Sequence, residues 1–355
     1  MKRFIAVDSG KSHTKLAVYN PETESTTTYK FKTKMGDGFF EDDSLEANTL
    51  IAEVEGKRYK IGNGALQAAD LETSKESEIH KVCTLVSIAM CCSADQVDEV
   101  SVAIGAPVKE WEVVERRNSY KKYMLPEGEI TIMLKTKSEE PPVKKTFKIV
   151  NRYVYPESIG ALYLEKISEY VESTVAVIDI GNLNINCTLW NNMELDKECS
   201  LTGELGGNIL FEGLAQQLSA ELGMRCNANL VSKVLMLPKE ERFLVPQTKT
   251  SEDIPKKSKE IIDKYLLEHV RQIRNKCNAK QWSLDFMKLA FIGGTSQLLA
   301  NEIKEVFGDN VYIPENPEYA NVLGFLRLLC GKTLDKVIDL PQKKVKSVVK
   351  VEKSA

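Results

Sequence analysis

The sequence predicts an α/β protein of about two domains built on one duplicated architecture, and three observations lead there. At 355 residues the chain is long for a single hydrophobic core. An apolar strand that ends in Asp-x-Gly and returns through a polar turn occurs twice, at residues 4–18 and 175–190. A further apolar strand, 289–292, runs through a glycine pair directly into a helical pattern.

Composition narrows the class. Hydrophobic residues at 43% with 28% charge describe a soluble globular protein, and a net charge of −3 gives no general attraction for nucleic acid. The eight cysteines lack C-x-x-C spacing, so neither a zinc site nor a disulfide framework is expected, and a reducing cytoplasm is the expected location. Met1-Lys2-Arg3 opens as a signal peptide does, but Asp8 ends the apolar stretch too soon. No run approaches the roughly 18 apolar residues of a membrane span, and no membrane binding is expected. Residues 342–355, "QKKVKSVVKVEKSA", read as a basic tail, either solvated or an arm for an acidic partner.

The first strand is "FIAVDSGKSHTKLAV", residues 4–18. Its Gly10-Lys11-Ser12 is not the end of a Walker A loop, because the first glycine of G-x-x-x-x-G-K-[ST] would fall on Ile5. The apolar run stops at Asp8, turns through Ser9 to His13 and resumes in alternation, which predicts a β-hairpin. Such a turn can aim several N–H groups at one anion, although Gly, Ser and Lys are equally at home in an ordinary turn.

The second copy, "VAVIDIGNLNINCTLW" at 175–190, repeats the pattern with Asp179 and Gly181. A carboxylate at each strand end suits magnesium held through its water shell, and it equally suits capping by local backbone N–H groups. In "LAFIGGTSQLL", 289–299, Gly293 and Gly294 precede Thr295 and Ser296 at a predicted helix start, with Leu298, Leu299, Ile303, Val306 and Phe307 as its apolar face. Paired glycines there allow close approach of a flat ring or a phosphate, or serve as a plain strand-to-helix turn. In "YVYPESIGALYLEKI", 153–167, Pro156 and Glu157 are expected to start a helix with Ile159, Leu162 and Leu164 inward. Glu157 there either answers the helix dipole or positions an attacking water.

In this order, Asp8-x-Gly10, Pro156-Glu157-Ser158, Asp179-x-Gly181 and Gly293-Gly294 resemble the actin-like ATPase superfamily, and within it the ParM-type plasmid-segregation actins. "VAIGAPVKEW" (102–111), "LTGELGGNILFEGL" (201–214) and "NPEYANVLGFLRL" (316–328) resemble the family's strand-and-proline turn, glycine turn and second connecting helix, so the likeness runs to about residue 330.

The resemblance implies an actin-like two-lobed fold, with duplicated ribonuclease-H-like domains and a nucleotide cleft. It also implies ATP, or GTP, bound with Mg2+, filaments that form on nucleotide binding and hydrolysis that destabilises them. Asp8 and Asp179 would order magnesium through water, and Glu157 would position the attacking water. Ser9, Gly10, Lys11, Ser12 and Lys15 would form the first phosphate loop, and Gly181, Asn182 and Asn184 the second. Gly206, Gly207, Gly293, Gly294 and Thr295 would line the nucleotide. The implied partners are further copies of the chain and a DNA-binding adaptor on a plasmid centromere. Two departures bear on this. Asn182, Asn184 and Asn186 make the second loop bulkier than the family's Gly and Thr, and Lys11 stands where Ser or Thr is usual, adding a phosphate contact or facing solvent.

These anchors organise the chain into one lobe of 1–165 plus 315–335, a second of 170–314, and a tail of 336–355. Helices at 157–170 and 317–330 would be the hinge. Residues 135–146 and 238–260 are expected surface connections, and Ile261, Ile262, Tyr265, Leu266, Val270 and Ile273 a core helix stripe. Phe39 and Phe40 in "MGDGFFEDD", 35–43, suit a tucked loop or an intersubunit contact. The competing functions are a small-molecule kinase of the same superfamily, for which the sequence offers no clear extra Asp as base beyond Asp285 and Asp179, and a nucleotide-binding scaffold without turnover. A heat-shock chaperone is not expected, because no separate substrate domain fits after residue 335.

Overall fold

The computed structural model describes residues 1–42, 44–68, 74–246 and 253–340. Its chain divides into two compact units, residues 1–165 with 321–355, and residues 166–320.

In the first unit, β1 (Lys2–Ser9), β2 (His13–Asn20) and β3 (Ser25–Lys32) form an antiparallel meander. They are followed by β4 (Lys34–Asp37), β5 (Thr49–Val54), β6 (Lys57–Gly62), β7 (Gln67–Ala68), β8 (Val97–Ala106), β9 (Glu129–Lys135) and β10 (Val143–Pro156). The ten strands make one sheet in the order β3-β2-β1-β8-β10-β9-β5-β6-β4-β7. Strand β1 pairs in parallel with β8, and β8 with β10, so β1 is central and its Phe4–Val7 run is apolar on both faces. Ile5, Val7 and Leu16 on one face join a core with Leu85, Val86 and Ile88 of the helix Glu78–Met90. The helix Ala320–Leu334 buries Phe325, Leu326 and Leu329.

In the second unit, β11 (Thr174–Ile180), β12 (Ile185–Asn191) and β13 (Glu194–Gly203) repeat the meander, and β14 (Lys288–Ile292) and β15 (Val311–Tyr312) add in parallel. The order is β13-β12-β11-β14-β15. It matches β3-β2-β1-β8-β10 of the first unit strand for strand and sense for sense, so the duplication read from two hairpins extends to both sheets. The helices Gly207–Leu222 and Ile254–Ala279 cover this sheet, with Ile261, Ile262, Leu266, Val270 and Ile273 buried and Tyr265 partly so.

The structure departs from expectation at two helices. No continuous helix spans 157–170: Glu157 follows β10 directly, Ser158 takes a left-handed φ of 78°, and only the single turns Ile159–Leu162 and Ile167–Tyr170 form. The reason is tertiary, since the Ser158 amide donates to Asn321 Oδ1 at 3.0 Å and Gly160 lies against Gly324 of the helix Ala320–Leu334. Glu157 is therefore not in a first helical turn, and the dipole argument for it does not apply. The helix after Gly293 is also broken, into Gly294–Leu298 and Ala300–Phe307. The lysine-rich stretch 342–355 lies outside the described residues, as do Asp43 of the 35–43 loop and residues 247–252 of the expected connection 238–260. Phe39 is 62% exposed, while Phe40 lies under the Arg58 guanidinium, 5.0 Å from its ring centre. Among the described residues, no helix is long and apolar enough to cross a membrane.

Candidate functional site

In the first unit the loop Gly10–Ser12 closes the β1–β2 hairpin. The Gly10 amide donates to His13 O at 3.1 Å, and a Cβ on Gly10 would come within 2.9 Å of that oxygen, so the turn is as tight as a glycine permits. Side-chain hydroxyls hold the loop from beneath. Thr33 Oγ1 donates to Gly10 O at 2.6 Å, Thr14 Oγ1 lies 2.9 Å from Thr33 Oγ1, and Ser9 Oγ lies 3.3 Å from Thr14 Oγ1. Ser9 Oγ is also 3.0 Å from Nδ1 of His80, on the first turn of the helix Glu78–Met90. His80 is fully buried, and burial, with the ammonium groups of Lys75 and Lys11, pushes its imidazole down to about 3, so the ring is neutral. Lys11 and Ser12 are half-buried rather than extended into solvent.

The charged part of this site is compact. Lys15 faces Asp8 across the hairpin with Nζ 3.9 Å from Oδ2. Lys75 Nζ lies 3.8 Å from Asp8 Oδ1 and 2.5 Å from Glu157 Oε1. Asp8 and Glu157 are both buried, and the Glu157 amide donates to Ala106 O at 2.9 Å, which fixes the backbone at the end of β10. Burial works against the Lys75 charge, yet the carboxylates of Glu157 and Asp8 outweigh it and hold the ammonium above the usual lysine value. Gly105 of β8 admits the edge of Phe325, 2.8 Å from where its Cβ would stand, with Glu157 Cγ at 3.8 Å.

The second unit builds its own loop. The Gly181 amide donates to Asn184 O at 3.0 Å, and Gly181 O accepts from the Gly207 amide at 2.9 Å and from Thr295 Oγ1 at 3.0 Å. The Asn208 amide donates to Asn182 O at 2.6 Å. Gly206 has no room for a side chain, since a Cβ would stand 2.5 Å from Leu183 C. Gly293 has a φ of +88° and lies against Asp179 and Ile180. Its amide donates to Pro317 O at 2.8 Å, and Gly294 faces Glu318. The loop 181–184, the start of the helix Gly207–Leu222 and the turn 293–295 are therefore one packed body, and it brings together Asp179, Gly181, Asn182, Asn184, Gly206, Gly207, Gly293 and Thr295.

The two loops are the same construction. Each has a glycine two residues after the aspartate, an amide donating to the carbonyl three residues on, and an aspartate opposite the seventh following residue, Lys15 for Asp8 and Asn186 for Asp179. Asn186 accepts from Thr202 Oγ1 at 3.1 Å, so its amide is committed to the neighbouring strand on that side. Asp285 lies on an exposed turn in an ion pair with Arg274 at 2.7 Å, which does not suit a catalytic base. Sequence reasoning missed Lys75 and His80. Neither carries a motif: His80 comes to the loop on the helix Glu78–Met90, and Lys75 comes to Asp8 and Glu157 on the segment just before it.

No three candidate ligand side chains cluster among the described residues, and the ammonium groups nearest Asp8 stand at 3.8 and 3.9 Å, beyond direct hydrogen-bond distance.

The fold and the paired loops define the class, and comparison with known proteins agrees. Residues 6–160 match the family described as actin-like proteins N-terminal domain. An Alp12 filament structure superimposes with a TM-score of 0.69 at 22% identity, covering 93% of this chain and 99% of that one. A ParM filament of 15 strands from Clostridium botulinum gives 0.66 at 17%, covering 92% and 99%. The archaeal actin homologue Ta0583 in complex with ADP gives 0.67 at 16%, covering 91% and 97%. No curated protein sequence matches the chain. Residues 6–160 therefore match the actin-like N-terminal domain family, and the chain has the fold of actin homologues, ParM- and Alp-type proteins among them.

Proposed function

We propose that this protein is a nucleotide-dependent polymerising actin, which binds ATP or GTP with Mg2+, assembles with itself into filaments and hydrolyses the nucleotide to destabilise them. The observation that carries the reading is the equivalence of the loops at Gly10 and Gly181, two tight turns of one construction on two sheets of one order. Turns of this kind can aim loop amides at phosphate oxygens. The filament reading draws on the Alp12 and Clostridium botulinum ParM filaments and the nucleotide reading on the ADP complex of Ta0583.

In this reading Ser9, Gly10, Lys11, Ser12 and Lys15 serve one phosphate loop, and Gly181, Asn182 and Asn184 the other. Gly206, Gly207, Gly293, Gly294 and Thr295 line the nucleotide beside the second loop. Asp8 and Asp179 would hold magnesium through water, and magnesium would supply neutralisation of phosphate charge. Glu157 orients the attacking water, because phosphoryl transfer needs position and charge compensation more than covalent help. Hydrolysis removes the terminal phosphate and with it the state that favours assembly. The cellular role that follows from the ParM likeness is plasmid segregation in the cytoplasm, through a DNA-binding adaptor that joins the filament to plasmid DNA.

The test is right-angle light scattering with magnesium and ATP, GTP or a non-hydrolysable analogue, with phosphate release followed in parallel. A rise on nucleotide addition that decays with phosphate release supports the reading and reports the preferred base. Turnover with no rise at any protein concentration overturns the filament and favours the kinase.

A further inference from the structure

Lys75 has no role in the reading above, yet its side chain is only 12% exposed and meets both carboxylates of the first unit's site. Two buried carboxylates, Asp8 and Glu157, are balanced there by two ammonium groups, Lys15 and Lys75. Burying such a pair adds little stability over apolar residues of similar size, so folding alone does not account for a lysine at this position. The spacing is uneven, 2.5 Å to Glu157 against 3.8 Å to Asp8, so the ammonium stands on the residue assigned to water. Lys75 also lies five residues before His80, whose ring meets Ser9 of the phosphate loop. The segment leading into the helix Glu78–Met90 thus reaches the carboxylate, and the helix's first turn reaches the loop.

We propose that Lys75 contacts the terminal phosphate of a bound nucleoside triphosphate: its ammonium stands on Glu157 when the terminal phosphate is missing and passes to that phosphate when it is present. The inference rests on the nucleotide reading above. A terminal phosphate carries more negative charge than a carboxylate and offers three acceptor oxygens, so it competes for the ammonium. The exchange releases Glu157 from the ion pair at the moment an attacking water needs it. With a diphosphate the ammonium stays on Glu157. One lysine then reports which nucleotide is bound.

The experiment is titration of fluorescent ADP and of a fluorescent non-hydrolysable ATP analogue, each with magnesium, into wild type, E157Q and K75M/E157Q. The double variant removes both partners of the short pair, avoiding the uncompensated Glu157 charge that K75M alone would leave. Relative to E157Q, it is expected to lose about 10- to 100-fold in affinity for the triphosphate analogue, with ADP affinity unchanged. Equal affinities in the two variants for the analogue, or an equal loss for both nucleotides, overturn the role of Lys75 and leave the nucleotide reading standing. Wild type that binds neither nucleotide overturns the nucleotide reading, and the role of Lys75 with it.

Discussion

Gly293 holds its backbone against Asp179: a Cβ at residue 293 would stand 2.4 Å from Asp179 Oδ1 and equally close to Ile180 O. With φ at +88°, the position also disfavours any L side chain. G293A is expected to destabilise the protein by at least about 2 kcal/mol and to weaken nucleotide binding, because Asp179 must shift. G223A is the control, with φ at +62° and nothing within 4 Å of its Cβ, and should cost about 1 kcal/mol with binding intact. Urea midpoints and ADP titration read both.

Gly206 seals the second loop from the other side. G206A would press on Leu183 C at 2.5 Å and Asn184 N at 2.6 Å, so the loop must open. The expected outcome is an ADP affinity at least tenfold weaker with the second unit's helices intact by circular dichroism. Unchanged affinity would separate this loop from the nucleotide.

Asp8 is assigned to magnesium-bound water, and D8N keeps its size while removing its charge. In the wild type, nucleotide binding should tighten as magnesium is raised. D8N should respond weakly to the metal, and a full response in D8N would remove Asp8 from that role.

His80 makes stability depend on pH. Its folded value, about 3, lies below the unfolded 6.5, so the unfolded chain binds the extra proton and stability falls as pH drops from 6.5 toward 3. Between pH 7 and pH 5 this amounts to about 2 kcal/mol. H80Q should lose correspondingly less over that interval, read as the change in urea midpoint. It should also disturb Ser9, and so weaken nucleotide binding at pH 7.

What was legible in the sequence was local chemistry. Asp8, Gly10, Asp179 and Gly181 show themselves because a strand that halts at Asp-x-Gly and resumes in alternation has few other solutions, and both hairpins form. Gly293 shows itself because paired glycines at a strand end signal close approach, whereas Gly206 shows only through the family resemblance. Lys75 was not legible: in "DLETSKES" it is one charge among several, and only the meeting of β1, β10 and the helix Glu78–Met90 gives it two carboxylates. His80 on an apolar helix reads as an ordinary core residue. The break after Glu157 was hidden for a related reason. Ile159, Leu162 and Leu164 have helical spacing, but the contact of Gly160 with Gly324 and the Asn321 cap of Ser158 come from a distant helix and override it.

The most direct test of nucleotide-driven assembly with turnover places E157A beside wild type in light scattering with Mg2+ and ATP, phosphate release being recorded together. The account predicts that both rise on ATP, that wild-type scattering decays as phosphate appears, and that E157A releases phosphate at least about a hundredfold more slowly and keeps its signal. An E157A trace that decays at the wild-type rate would contradict the role of Glu157. No rise in either protein would contradict the account as a whole.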